Sequence, residues 1–211
     1  MQYGPRPDGL KKFARGGPPS RYTQTYPDLR YTSGWWSHVL VDSLIPNERV
    51  YYRVGNDRDG WSQVSSFIAP PAAGTPTYPL KFTVIADVGQ TYNTSVIVSR
   101  MEEAQPRAML VLGDMAYADT YRSDGRPRLK TDPKKDYQPS YPPRWDTWGR
   151  LMAPLMSRVP VMAIPGNHEV EKDLNGAQFE SYKMRRDDWE GAVGVTVSGL
   201  AAAGRTVTGL L

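Results

Sequence analysis

Apolar and polar side chains alternate along the first seventy positions and gather into short blocks after them. Tyr22–Tyr26 alternates aromatic with polar residues, and Ser37–Leu44 alternates again. Val50–Val54 places Val50, Tyr52 and Val54 on one face, and Trp61–Ile68 is a fourth stretch of the same kind. A period of two is that of a half-buried strand. Turn formers at 16–19, 45–47 and 56–60 separate these stretches. Residues 1–70 therefore read as β, and short strands at this spacing suggest a β-sandwich. Four clear strands are fewer than the seven or so such a sandwich needs, so the expectation is a partial one.

The segment 71–79, within the Pro-rich stretch that starts at Pro70, is a linker by composition. Beyond it the blocks change to an α/β order. The apolar run Phe82–Ala86 ends in Asp87-Val88-Gly89, and Met109–Leu112 ends in Gly113-Asp114-Met115-Ala116-Tyr117. Val159–Ile164 ends in Pro165-Gly166-Asn167-His168-Glu169. Between them the spacing predicts a helix over Thr94–Ala104, with Val96, Ile97, Val98 and Met101 as its apolar positions and Pro106 as its stop. A second helix is expected over Arg144–Met156, where Trp145, Trp148, Leu151, Met152 and Leu155 keep helical spacing. Strand-helix-strand-helix order predicts a parallel sheet. The polar, Pro- and Lys-rich stretch from Tyr117 to Pro143 is too poor in apolar residues for a core, and a loop of that length is commonly functional. Residues 187–211 are rich in Gly, Ala and Val without a period, and no structure is assigned to them. The fold class is thus α+β in two parts.

Composition narrows the function. There are no cysteines, which removes disulfides, thiolate zinc sites and thiol nucleophiles together. The net charge of +4 is spread rather than striped, with no recognition helix, so nucleic acid is not an expected partner, whereas a small anionic substrate suits the charge. No apolar run is long enough to span a bilayer, so no membrane is expected. The polar start Met1-Gln2-Tyr3-Gly4-Pro5 does not resemble a signal peptide.

The chemistry gathers where the three apolar strands end, because open α/β sheets display their functional groups at strand C-termini. Asp87, Asp114, Tyr117, Asn167 and His168 are mostly hard oxygen donors. A strand-end carboxylate can bridge two cations, an amide oxygen suits a divalent ion, and a tyrosinate favours Fe(III). Two neighbouring metals can acidify a shared water and steady a phosphoryl group, so the set reads as a dinuclear site for phosphate ester hydrolysis. Each residue also has a plainer reading. Asp87 and Asp114 could be turn formers or caps. Tyr117 could be a packed aromatic, Gly166-Asn167 a turn pair, and His168 a surface histidine. His38 lies on an alternating β stretch and is given no chemistry, and the charges of 119–135 read as a solvated loop. Three ligand-bearing strand ends in succession favour the metal site.

The set Asp87-x-Gly89, Gly113-Asp114-x-x-Tyr117 and Gly166-Asn167-His168-Glu169 resembles the purple acid phosphatases, within the calcineurin-like metallophosphoesterases. Ile85–Thr91, Gly113–Asp119 and Arg144–Arg150 look like the plant-type branch. Gln2-Tyr3-Gly4 and the β region ahead of the linker do too. Leu44-Ile45-Pro46 is similar to the approach to a fibronectin type III-like tyrosine corner, with Val50 where the tyrosine usually stands. The resemblance covers about residues 1–186. It implies a partial fibronectin III-like domain over 1–70, the 71–79 linker, the N-terminal half of the metallophosphoesterase domain over 80–186, and a tail over 187–211 outside the family.

By the same resemblance Asp87 and Tyr117 would hold Fe(III), Asp114 would bridge, and Asn167 would hold a divalent Zn, Mn or Fe. His168 would serve the phosphate or the leaving group while a metal-bound hydroxide attacks phosphorus in line. The substrate would be a small phosphate monoester, with nucleotides, phytate or a phosphodiester as variants. The assembly would be a homodimer, and the location secreted or vacuolar, in keeping with the glycosylation sequon at Asn93-Thr94-Ser95, read here as a loop. Two further family motifs, Val-x-x-His and Gly-His-x-His, are absent, since the chain's two histidines are His38 and His168. The resemblance thus implies a chain truncated at both ends, with half of its sheet lacking a covering layer. The alternative reading is a catalytically inactive fragment that acts as a binding or dimerisation module.

Overall fold

A computed structural model describes residues 1–76, 79–129 and 137–185, and the backbone of 195–199. Parts of the linker, of the Tyr117–Pro143 stretch and of the C-terminal tail lie outside the described residues.

Strands β1 Gln2–Gly4, β2 Lys12–Phe13, β3 Thr23–Tyr26, β4 Leu29–Thr32 and β5 Ser37–Val41 open the chain. They are followed by β6 Arg49–Arg53, β7 Gly55–Asn56, β8 Gly60–Trp61 and β9 Ser65–Ile68. An antiparallel sheet runs in the order β2-β1-β6-β9, while β3-β4 and β7-β8 form separate ladders. Alternation on β6 works as expected. Val50 and Tyr52 are buried with Phe67 of the paired strand, and Tyr52 meets the Phe67 ring edge-on at 5.9 Å. The shortest strands, β2, β7 and β8, are two residues each, too short for a period of two to show in the sequence. The fibronectin-like strand order stays an expectation.

After the linker come β10 Phe82–Ile85, α1 Tyr92–Ala104, β11 Ala108–Leu112, α2 Pro143–Met156, β12 Val161–Ile164 and α3 Glu180–Arg185. Strands β10, β11 and β12 pair in parallel in that order. Helix α1 begins two residues before the expected start. Thr91 is its N-cap, and it exchanges hydrogen bonds with Thr94, a capping box built from two threonines. Its buried positions are Thr94, Val98 and Met101, one stripe at i, i+4 and i+7. Val96 and Ile97, expected on the apolar face, fall off that stripe and are exposed. Helix α2 begins with Pro143 at its first position, where a missing N–H costs nothing. It buries Trp145, Trp148, Met152, Leu155 and Met156.

Register divides the sheet into two faces. Met109 and Val111 of β11 are fully buried and join α1 and α2 in the core, with Ile85, Val161 and Ala163 beside them. The opposite face carries Phe82, Val84, Leu112, Met162 and Ile164, and all five are exposed, Met162 by 70%. One face of the sheet is therefore buried and the other exposed. The N-terminal part packs on the α2 and α3 side. Tyr52 Oη donates to the Ser157 carbonyl at 2.8 Å, Tyr31 Oη to Asp146 at 2.9 Å, and Tyr22 Oη to Ser181 Oγ at 3.0 Å.

A further strand, β13 Val195–Gly199, runs antiparallel to β5 with Val195 opposite Val41. The sequence pattern assigns no regular structure to the tail, and for these five residues that expectation is corrected. A β-branched run takes its register from the strand beside it rather than from a pattern of its own.

Candidate metal centre

The first two strands of the parallel sheet, β10 and β11, end in left-handed turns, and β12 runs through an extended Gly166 into a 3-10 turn. Asp87 (φ 52°), Asp114 (φ 53°) and Tyr117 (φ 52°) are all left-handed, as are Gly89 and Gly113. The left-handed region is uncommon for residues with a Cβ, and such strain concentrates at functional sites. Here three of the five sequence-derived candidates adopt it. The turns then interlock. Asp87 N–H donates to the Gly113 carbonyl at 3.3 Å, and Val88 N–H to the Asp114 carbonyl at 3.1 Å, which joins the first strand end to the second. The second meets the third through His168 N–H, which donates to Asp114 Oδ1 at 3.0 Å. The loops touch closely enough to require glycine. A Cβ on Gly113 would lie 2.6 Å from Gly166 N, and a Cβ on Gly166 would overlap the Asp114 carboxylate.

On this frame the structure brings together Asp87, Asp114, Tyr117 and His168. Tyr117 Oη donates to Asp87 Oδ1 at 2.8 Å. The His168 and Tyr117 rings stack with centroids 4.2 Å apart. Burial raises the Tyr117 phenol above its ordinary value, and the hydrogen bond and charge of Asp87, then Asp114 and Glu169, raise it further. A nearby cation reverses that balance and favours the phenolate. Asn167 leads the short 3-10 turn Asn167–Glu169 and is exposed beside this group.

The donor set fits a hard cation. Two oxygens at 2.8 Å have the spacing of neighbouring ligands around an octahedral ion with bonds of ~2.0–2.1 Å. Among the described residues no three His, Cys, Asp or Glu side chains stand in metal-ligand geometry. The candidate set instead combines two carboxylates with a phenol and an amide.

Three acidic residues have roles that periodicity does not reveal. Asp119, which the sequence places in a solvated loop, is buried. Its Oδ1 lies 2.7 Å from His168 Nδ1, and its Oδ2 accepts from Gln138 Nε2 at 2.8 Å. Burial pushes its carboxyl above the ordinary range, while His168, Gln138 and Arg128 oppose that shift. A carboxylate on Nδ1 orients the imidazole and leaves Nε2 as the nitrogen for other chemistry. Glu169 is fully buried and accepts from three backbone N–H groups of the two loops. Glu171 is fully buried too, with Ser140 Oγ and Trp145 Nε1 donating to its two oxygens. Glu169 closes the Gly166–Glu169 motif and Asp119 the Gly113–Asp119 stretch, but neither spelling signals burial or a partner. Asn93 is exposed, but it lies in the first turn of α1 rather than on a loop.

A cleft of about 390 Å³ lies at the other end of the sheet, lined by Arg49, Arg107 and Arg158 among others. The C-terminal ends of α1 and α2 contribute to it. It contains none of the candidate ligands.

Comparison with known proteins adds to this geometry. Residues 80–205 match the calcineurin-like phosphoesterase family, and residues 1–69 match the purple acid phosphatase N-terminal domain. Purple acid phosphatase 23 of Arabidopsis thaliana is 39% identical over 172 residues, 78% of this chain and 38% of that protein. Purple acid phosphatase 15 of the same plant is 37% identical over 174 residues, 78% of this chain and 32% of that protein. The plant's Fe(3+)-Zn(2+) purple acid phosphatase 12 is 34% identical over 161 residues, 75% of this chain and 30% of that protein. The chain spans about a third of the length of these relatives.

Proposed function

Because this chain belongs to the calcineurin-like phosphoesterases, in their purple acid phosphatase branch, we propose that its three strand ends hold a dinuclear metal centre that hydrolyses phosphate monoesters at acidic pH. The observation that carries this reading is the convergence of Asp87, Tyr117 and Asp114 on interlocked left-handed turns, with His168 against them. Asp87 and Tyr117 would hold Fe(III), Asp114 would bridge, and Asn167 would hold a divalent Zn, Mn or Fe. The Fe(3+)-Zn(2+) relative supports that pairing. When bound, the two ions supply Lewis acidity and an acidified water.

The chain's own residues do the rest. Asp114 spans the two halves of the site, and the His168 backbone steadies its carboxylate. Asp119 and the Tyr117 ring fix the plane of the His168 imidazole. Nε2 would then hydrogen-bond a phosphate oxygen or hand a proton to the departing alkoxide. Asp87 and Asn167 are exposed and Tyr117 is half-buried, so a small ester can approach. Nucleotides, phytate and phosphodiesters are the variants of this substrate class. The exposed Asn93 sequon supports a secreted or vacuolar site of action. Among the described residues no helix is long and apolar enough to cross a membrane.

The bare sheet face favours a second reading, in which the chain is inactive by itself and pairs with another protein through that face, a homodimer being one form. One experiment separates the two. The 211-residue chain is loaded with Fe and Zn, its metal content is measured, and a chromogenic phosphomonoester is offered at acidic pH. Stoichiometric metal with turnover that disappears in Asp114→Asn supports the enzyme, and metal without turnover supports the binding module. A visible phenolate-to-iron band that survives in Tyr117→Phe would sink the tyrosinate assignment.

A further inference from the structure

We propose that Glu169 is a positioning residue for this centre: its buried carboxylate clamps the backbone from which Asp114 and Asn167 project. The consequence for metal rests on the reading above, whereas the clamp itself stands on the contacts. Glu169 Oε2 accepts from Asp114 N–H and from Gly166 N–H, both at 2.7 Å, and Oε1 accepts from Met115 N–H at 2.8 Å. The residue is 0% exposed. Among the described residues no cation pairs with it, so backbone donors alone hold its charge.

Such a group has little freedom. A carboxylate taken out of water is tolerated only when its lone pairs are met by good donors, and bonds of 2.7–2.8 Å to an anion are the strong kind. Two donors come from the loop after β11 and the third from the loop after β12. The clamp therefore fixes the distance between the loops. It also holds Asp114 in its left-handed turn, because the N–H groups on either side of the Asp114 Cα point into one carboxylate. The exchange is reciprocal. The third loop offers its His168 N–H to the Asp114 carboxylate, while the second offers its N–H groups to Glu169. With both oxygens occupied by the backbone, Glu169 shapes the site without being a ligand.

An amide cannot replace this carboxylate. Glutamine offers one acceptor oxygen and turns an NH₂ toward at least one of the three N–H groups, so at least one buried donor loses its partner. Glu169→Gln is compared with wild type and with Met101→Ala, a core truncation on α1 that destabilises the fold away from the site. Two measurements are made on the 211-residue chain. One is the hydrogen exchange of the Asp114, Met115 and Gly166 amides without metal. The other is Zn(II) affinity at a temperature where all three proteins are folded by near-UV circular dichroism.

In wild type the three amides are expected to be protected. Glu169→Gln is expected to lose protection at one or more of them and to bind Zn(II) about 10–100-fold more weakly, the usual cost of removing an outer-shell partner. Met101→Ala should lower the melting temperature and leave both readouts in place. Unchanged exchange at all three amides in Glu169→Gln overturns the clamp. So does rapid exchange of these amides in wild type, a test that holds even if the variant fails to fold. Wild-type affinity for Zn(II) in a folded Glu169→Gln overturns the positioning role. A wild-type chain that takes up no metal overturns the metal-centre reading and leaves the amides to report on the clamp alone.

Discussion

At the scale of single residues, contact between loops rather than ligand chemistry explains the two glycines beside the candidate ligands. Gly113 sits at φ 82° with its Cα against the backbone of Gly166, and Gly166 lies against the Asp114 carboxylate. Gly166→Ala is expected to push that carboxylate off the His168 N–H and to cost about 1–3 kcal/mol, the range for overpacking a tight site. Thermal melting and Zn(II) stoichiometry, measured side by side, check both halves. A variant that melts and loads like wild type would contradict the close approach. Motif spelling alone makes Asp87, Asp114, Tyr117, Asn167 and His168 legible in the sequence. Asp119 and Glu169 stand inside the matched stretches, but their burial is not legible there, and Glu171 lies outside them. Their burial depends on which loops close over them, and no periodicity records that.

At the scale of elements, the apolar blocks yield helices and strands near their observed limits, because burial of one face is what the blocks encode. The face itself is harder to read. Val96 and Ile97 are as apolar as Val98, and only the packed neighbours show that the stripe runs through Thr94, Val98 and Met101. The hydroxyl of Thr94 suggests solvent, yet it completes the helix cap and donates to the Val88 carbonyl at 2.8 Å. The capping box ties the start of α1 to the Asp87 turn. Thr91→Ala should therefore cost about 1 kcal/mol in stability. Chemical denaturation measures that loss, and a loss within error of zero would remove the cap's role.

At the scale of the whole molecule, the two parts are joined through a buried polar network. Arg185 Nη1 donates to Tyr22 Oη and to the Ser181 carbonyl, and Ser181 Oγ donates to Gln24 Oε1. Gln24 Nε2 and Tyr26 Oη meet the Glu171 carbonyl. Burial lifts the Glu171 carboxyl from 4.5 to about 7, although Ser140, Trp145, Ser181 and Arg185 favour its charged form. The folded state thus holds its proton more tightly than the unfolded chain. The resulting stabilisation is complete below pH 4.5 and disappears as pH rises to about 7. Its size is on the order of 3 kcal/mol at about 1.4 kcal/mol per unit. Glu171→Gln should flatten the fall in melting temperature between those limits. An equally steep fall in the variant would assign the dependence to other groups. A joint firmest in acid suits the proposed acidic working range.

The left-handed turns under Asp87 and Asp114 restrict which residues could ever replace them. Aspartate and asparagine enter that region several-fold more readily than other residues with a side chain, since their short polar groups bond locally. Glutamate has the same carboxylate on a longer stem and lacks that advantage. The positions can therefore exchange charge, Asp for Asn, far more easily than reach, Asp for Glu. In the proposed metal centre, changes in metal preference would proceed by altering the charge on a frame that the backbone keeps fixed.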